Sequence, residues 1–348
     1  MKIVYSPDHK LRDTKTELCG GELLPPFECA ERLDYIIQEL GKRNFGSLVP
    51  PQQYGLEPVL TVHDKDYIAF LETAWQDWKA EGNKGEAIAS SWPARTICPP
   101  GFEKRIPKHI EARLGHYCLA SETSIAEGSW NAAVLSKDVA LTALDLVWEQ
   151  KEQVAFGLCR PPGHHASTSQ FGGYCFINNA AVCAQMALDK GAGKVAILDV
   201  DFHHGNGTQE IFYARDDVLF ASLHGDPDET FPYFSGFADE TGIQAGDGYN
   251  LNYPLPAGTD FKSWRKAFMD AAAKIIAFAP ELLIVSLGVD TFERDPISSF
   301  KFTNGDFVTM GKDLANMGLP TLFLMEGGYA VEDVGVNTVN TLQGFISS

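Results

Sequence analysis

KVAILDVD, residues 194–201, is a short run of small and β-branched apolar residues ending on two aspartates, Asp199 and Asp201, with Phe202-His203-His204-Gly205-Asn206 directly after it. A stretch apolar on both faces and closed by turn residues reads as a buried strand of a parallel sheet. The same grammar recurs in VAFGL (154–158), VLFASL (218–223), LLIVSLGVD (282–290), TLFLM (321–325) and MKIVY at the start. Helical patterns fill the gaps. Phe261, Trp264, Phe268, Ala272, Ile275 and Ala279 recur at three- and four-residue spacing behind an Asp260 cap, with Pro280 as the stop. Phe307, Met310, Leu314 and Met317 repeat the design after Thr303, and Gly318 and Pro320 end it. Strand alternating with helix predicts an α/β fold, a single domain over 1–348 with a doubly wound parallel sheet and helices on both faces. Residues 84–115 and 225–260 break the rhythm with Gly, Pro and charge, and read as long inserted loops of the kind that carry function or interfaces.

The 348 residues are 45% hydrophobic and 21% charged, ordinary for a globular protein with a large core. A formal net charge of -18 repels phosphate backbones and favours cationic partners, and no basic stripe offers a nucleic-acid surface. The seven cysteines form no Cys-x-x-Cys pair, which speaks for a reducing compartment rather than a disulfide framework. The N-terminal MKIVYSPDHK turns polar too early for a signal peptide, and no apolar run is long enough for a membrane span. A cytoplasmic protein without membrane partners is expected.

Ligands of open α/β sheets bind at the carboxyl ends of the strands. Arg160-Pro161-Pro162-Gly163-His164-His165 follows one strand, Asp199 to Asn206 another, and His224, Asp290 and Glu326-Gly327-Gly328-Tyr329 follow three more. Five of the nine histidines and three aspartates thus converge on one edge, where carboxylates seldom sit without a partner or a metal. Strand alternation puts Asp201 and His203 on one side, and Asp290 completes two carboxylates and one imidazole with a fourth position open, the pattern of a catalytic zinc; Fe(II) or Co(II) would also suit it. Gly205 and Phe292, two residues beyond His203 and Asp290, cannot ligate a second ion. His164 and His165 are suited to taking a proton from water and returning it to a leaving amine, and Asp199 and Asn206 are candidates to orient them. Tyr329, behind a flexible Gly-Gly hinge, can donate to the oxyanion of a tetrahedral intermediate.

At these residues the chain resembles the arginase–deacetylase superfamily, in particular the histone-deacetylase-like enzymes. RPPGHH, FGGYCFINN, ILDVDFHHGNGTQ, SLHGDP, SLGVDTF and MEGGY stand in that family's order over 160–329, with HDKDYIAFL at 63–71. DHKLRDTKTEL, GGELLPPFE, ETAWQDWKAEG, GEAIASSWP and DTFERDPIS are similar to the acetylpolyamine amidohydrolase subgroup. The resemblance implies zinc at Asp201, His203 and Asp290, with His165 as general base beside an electrostatic His164 and Tyr329 as oxyanion donor. It implies Tyr174 and Phe231 as walls of a narrow channel, with Gly173 and Ile297 nearby. It further implies Glu111 and Glu122 as acidic groups meeting a distant ammonium. It implies potassium on backbone oxygens of Asp199, Asp201, His203 and Leu223 with the Ser222 hydroxyl, and a second potassium on carbonyls of Phe212, Arg215 and Val218. The 84–115 insertion would mediate a homodimer that narrows the entrance. Two positions depart: Asn206 stands where some histone deacetylases carry Asp, and Cys19 where an aromatic residue is expected. The activity implied is hydrolysis of a small cationic acetylated amine; a protein acetyl-lysine deacetylase with the same chemistry is the alternative. A dead binding module would have lost Tyr329 or a ligand, and an arginase-like ureohydrolase would need the second metal's ligands.

Overall fold

A computed structural model describes residues 1–93 and 105–348. Its eight-stranded sheet is parallel throughout, in the order β4-β1-β5-β10-β9-β6-β7-β8. The strands are β1 (Lys2–Val4), β4 (Ser47–Val49), β5 (Val154–Gly157), β6 (Val195–Asp199), β7 (Val218–Gly225), β8 (Asn250–Leu255), β9 (Leu282–Leu287) and β10 (Thr321–Met325). A separate antiparallel hairpin pairs β2 (Glu17–Cys19) with β3 (Glu22–Leu24).

Alternation along the strands builds two cores. Val195 and Ile197 of β6, Leu282 and Ile284 of β9, and Leu322 and Leu324 of β10 face one side. They are covered there by α2 (Lys65–Ala80), α3 (Ile110–Tyr117), α4 (Ser129–Trp148) and α5 (Asn179–Asp189). Ala196, Leu198, Leu283, Val285, Phe323 and Met325 face the other side, under α1 (Glu31–Arg43), α7 (Phe261–Phe278), α8 (Asn304–Ala315) and α9 (Val331–Ile346). Burial on both faces is why these strands read as unbroken apolar runs. Asp260 caps α7 by accepting from Ser263 N–H, and Thr303 with Asp306 forms a capping box on α8.

Two of the loop expectations need correction. Residues 225–260 contain β8, whose Asn-Leu-Asn-Tyr-Pro-Leu sequence lies on the sheet edge with Asn250 and Asn252 buried on one face and Leu251 and Tyr253 half-buried on the other, so no continuous apolar run announces it. Pro254 is tolerated because an edge strand has only one neighbour. Residues 84–115 end in the first turns of α3, and Ala87 bridges Ile125. The centre of that insertion, 94–104, lies outside the described residues. Among the described residues no helix is long and apolar enough to cross a membrane.

Because the strands are parallel, their carboxyl ends share one edge. β5, β10, β9 and β6 are consecutive in the sheet, so the segments after them meet above its centre.

Candidate active site and metal centre

β6 stops at Asp199, so strand alternation is not what aligns Asp201 with His203. Two successive turns do it instead. Asp199 Oδ1 accepts from Asp201 N–H at 3.1 Å, and Asp201 Oδ1 accepts from His203 N–H at 2.9 Å. Asp290, just past β9, reaches across and accepts from Phe202 N–H at 2.8 Å. His203 Nδ1 then lies 3.0 Å from Asp290 Oδ2 and 3.3 Å from Asp201 Oδ1. One ligand atom from each residue falls within 4.8 Å of the others, all three residues being buried. Burial raises the Asp290 carboxyl well above its ordinary range, with the neighbouring Asp201 charge adding to it. Burial alone would lower His203, but hydrogen bonds to Asp201 and Asp290 outweigh it and raise the imidazole to about 10. Two buried carboxylates crowded against one imidazole call for a positive charge among them. The donor set therefore fits a divalent ion, with an open position toward the pocket.

The glycines of MEGGY have a different role from the hinge expected of them. A Cβ on Gly327 would sit 2.5 Å from Asp201 Oδ2 and 2.7 Å from Asp290 Oδ2, so only glycine lets this strand end pass beside the ligands. Gly327 N–H donates to Asp201 Oδ2 at 2.8 Å. Gly328 holds φ +130, a left-handed conformation that side chains avoid.

The two histidines after β5 are backed by different acceptors. His164 Nδ1 lies 2.9 Å from Asp199 Oδ2, and His165 Nδ1 lies 2.7 Å from Asn206 Oδ1. Asn206 opens α6 (Asn206–Phe212), and its Nδ2 donates to the His165 carbonyl, which fixes Oδ1 as the acceptor. Nδ1 of His165 therefore carries the hydrogen, leaving Nε2 as the free acceptor. Burial lowers His165 well below its ordinary value, and the His164 and His203 charges add to this. In His164 burial is outweighed by Asp199 and Asp201, and its value rises to about 10. A cation between Asp201 and His203 would offset those carboxylates. Burial thus disfavours charge on His165, whereas the carboxylate behind His164 favours it there. Asp199, the last residue of β6, and Asn206, the first of α6, thus stand behind the two rings.

A pocket of about 590 Å³ leads to these groups. Gly173, Tyr174, Phe231, Ile297, Glu122 and Tyr329 all line it, together with His165, His203 and Cys19. A Cβ on Gly173 would enter the His165 ring, so only glycine fits there. Phe231 stands edge-on to His165 at 5.1 Å, and Tyr174 faces Tyr329 at 5.5 Å. Glu122 Oε1 accepts from Gly173 N–H at 2.8 Å. Glu111 is exposed in the first turn of α3 and is not among the lining residues, so a single chain does not bring it to the pocket. Of the potassium positions, Asp199 and Ser222 are register partners on β6 and β7. Phe212 closes α6, Val218 opens β7, and Arg215 lies between them.

Sequence reasoning missed Glu17, Phe27, Glu229 and Tyr233, which also line the pocket. Glu17 comes from the β2–β3 hairpin, far from any strand end of the main sheet, and no periodicity marks it. Burial raises its carboxyl to about 7. Also unmarked was a buried cluster in which Glu28 pairs with Arg12, Arg32 and Arg160 at 2.5, 3.3 and 2.7 Å. Arg32 donates to the carbonyls of Glu326 and Gly328, and its guanidinium lies 4.8 Å from the Tyr329 ring centre.

The family model described as the histone deacetylase domain matches residues 26–345. The chain belongs to the histone deacetylase family, a family of metal-dependent hydrolases. Within it, the chain is 56% identical over 344 residues to acetylpolyamine amidohydrolase of Mycoplana ramosa, covering 99% of each chain. It is 49% identical over 345 residues to acetylpolyamine amidohydrolase 1 of Pseudomonas aeruginosa, again covering 99% of each. The crystal structure of acetylpolyamine aminohydrolase from Burkholderia pseudomallei superposes with a TM-score of 0.93 at 35% identity, over 99% of this chain and 98% of that one.

Proposed function

We propose that this chain hydrolyses acetylated polyamines or diamines to acetate and the free amine. The observation that carries the reading is the pocket itself: a lining of Tyr174, Phe231, Phe27 and Tyr233 with two carboxylates, Glu122 and Glu229, and the buried carboxyl of Glu17, ending at His165, His203 and Tyr329. Aromatic walls suit a methylene chain, and carboxylates in a protein of net charge -18 suit a remote ammonium. The relatives' names point the same way.

Asp201, His203 and Asp290 would hold zinc, Fe(II) or Co(II), which supplies Lewis-acid polarisation of the acetyl carbonyl and acidifies the attacking water. His165 Nε2 takes the proton of that water, with Asn206 holding the ring's other nitrogen. His164, backed by Asp199, balances developing negative charge. The Tyr329 hydroxyl donates to the oxyanion. Collapse of the tetrahedral carbon breaks the C–N bond as a histidine delivers a proton to the leaving amine. Potassium on Asp199, Asp201, His203, Ser222 and Leu223, and on Phe212, Arg215 and Val218, would stiffen the β6–β7 edge beneath this site. A homodimer through the 84–115 segment would narrow the entrance and supply a role for Glu111. Six cysteines are free among the described residues, in keeping with a reducing cytoplasm.

The test is acetate release by zinc-loaded protein from acetylputrescine, acetylcadaverine, acetylspermidine and an acetyl-lysine peptide. Strong preference for the small amines is expected. Preference for the peptide would make the chain a protein deacetylase instead.

A further inference from the structure

Asp295 belongs to neither the metal ligands nor the histidine pair, yet it is buried five residues beyond Asp290, at 6% exposure. Its carboxylate gathers three backbone donors. Oδ2 accepts from Tyr329 N–H at 2.6 Å and from Ala330 N–H at 3.1 Å, and Oδ1 accepts from Ile297 N–H at 3.1 Å. Its own N–H donates to Phe292 O at 3.0 Å, which ties it back to the loop after β9. One side chain therefore locks together a pocket wall, Ile297, and the residue that carries the pocket's phenol, Tyr329. On the opposite side Arg32 holds the carbonyls of Glu326 and Gly328. The short segment between β10 and α9 has its carbonyls gripped by a guanidinium and its N–H groups by a carboxylate. A left-handed Gly328 sits between the two grips, with the Val289 side chain 2.6 Å from where a Cβ would be. Among the described residues, Asp295 is the acceptor that holds the Tyr329 backbone N–H.

We propose that Asp295 is a positioning residue that sets the Tyr329 phenol against the reacting carbonyl and governs turnover through Tyr329. The inference rests on the reading of Tyr329 as oxyanion donor. A carboxylate is the side chain suited to the task, because it is acceptor-only and makes short charge-assisted bonds to several N–H groups at once. Displacing a transition-state donor by about an ångström costs on the order of a hundredfold. The competing account is that Asp295 merely caps α9, whose N-cap residue Ala330 offers no side-chain acceptor. The two accounts differ in what happens when the phenol is already gone.

The experiment is a double-mutant cycle on the metal-loaded full chain, with folded sites counted by titration with a hydroxamate. Asp295→Asn keeps the shape but turns one acceptor into a donor. Alone, it is expected to lower kcat by roughly ten- to a hundredfold with KM within about twofold. Tyr329→Phe alone is expected to lower kcat by about a hundredfold or more. Added to Tyr329→Phe, Asp295→Asn is expected to cost less than about twofold further. Equal losses from Asp295→Asn in both backgrounds, or a loss confined to KM, would overturn the inference. Near-normal turnover of Tyr329→Phe would instead overturn the reading of Tyr329, so the two failures are distinct. If Asp295→Asn does not fold, Asp295→Ser goes through the same cycle, keeping one acceptor in a smaller side chain.

Discussion

His164 and His165 are neighbours with opposite proton affinities, and the cause is what stands behind each ring. A carboxylate behind His164 favours its imidazolium, whereas a neutral amide behind His165 leaves burial as the main influence, which disfavours charge. His165→Ala and Tyr329→Phe are therefore expected to keep the metal, by elemental analysis, while kcat falls by about a hundredfold or more. Glu17 carries a different consequence. Its carboxyl, raised to about 7 by burial, stays protonated in the fold at pH values where the unfolded chain has already ionised it. Native protein then binds the extra proton, so its contribution to stability falls as pH rises from about 4.5 to about 7. Glu17→Gln should leave the denaturation midpoint unchanged near pH 4 and raise stability by on the order of 2 kcal/mol at pH 7.5. A gain of equal size at both pH values would show that the carboxyl is not neutral in the fold.

At the scale of elements, the strands whose sequence is apolar on both faces are the ones buried on both faces, and they are the ones legible before folding. β6, β9 and β10 announced themselves; β8 did not, because its apolar residues alternate with two buried asparagines and a proline. The hairpin β2–β3 was equally silent, its six residues contributing little to either core. The strand ends depend on close approach as much as on ligand identity. Gly327→Ala would drive a methyl group into the Asp201 and Asp290 carboxylates. Zinc affinity, measured by competition with a chelator, is expected to weaken at least about tenfold while the far-UV circular dichroism is retained. Unchanged affinity would mean that the segment after β10 yields more readily than its packing suggests.

For the whole molecule, a net charge of -18 surrounds a pocket with the carboxylates of Glu122 and Glu229 in its lining. Attraction of a cationic amine to such a surface is screened by salt, since the Debye length shrinks to about 3 Å at 1 M. Raising ionic strength from about 0.05 to 0.5 M should lower kcat/KM for acetylputrescine several-fold and leave a neutral acetamide of equal length almost unaffected. Equal salt dependence for both would remove charge steering from the account of specificity.

The sequence by itself determined the parallel α/β sheet and the edge of it on which Asp201, His203, Asp290, the histidine pair and Tyr329 gather. Those follow from local pattern: apolar runs set strands, and polar residues directly after them have nowhere else to stand. Only tertiary structure decided which residues remote in the chain join them. Glu17 arrives on a hairpin, Arg32 on a helix, and Asp295 through contacts to backbone N–H groups 34 and 35 residues away. Backbone donors carry no sequence signature, and a hairpin folded over a pocket leaves no periodicity to read. Such contributions are visible only once the chain has closed on itself.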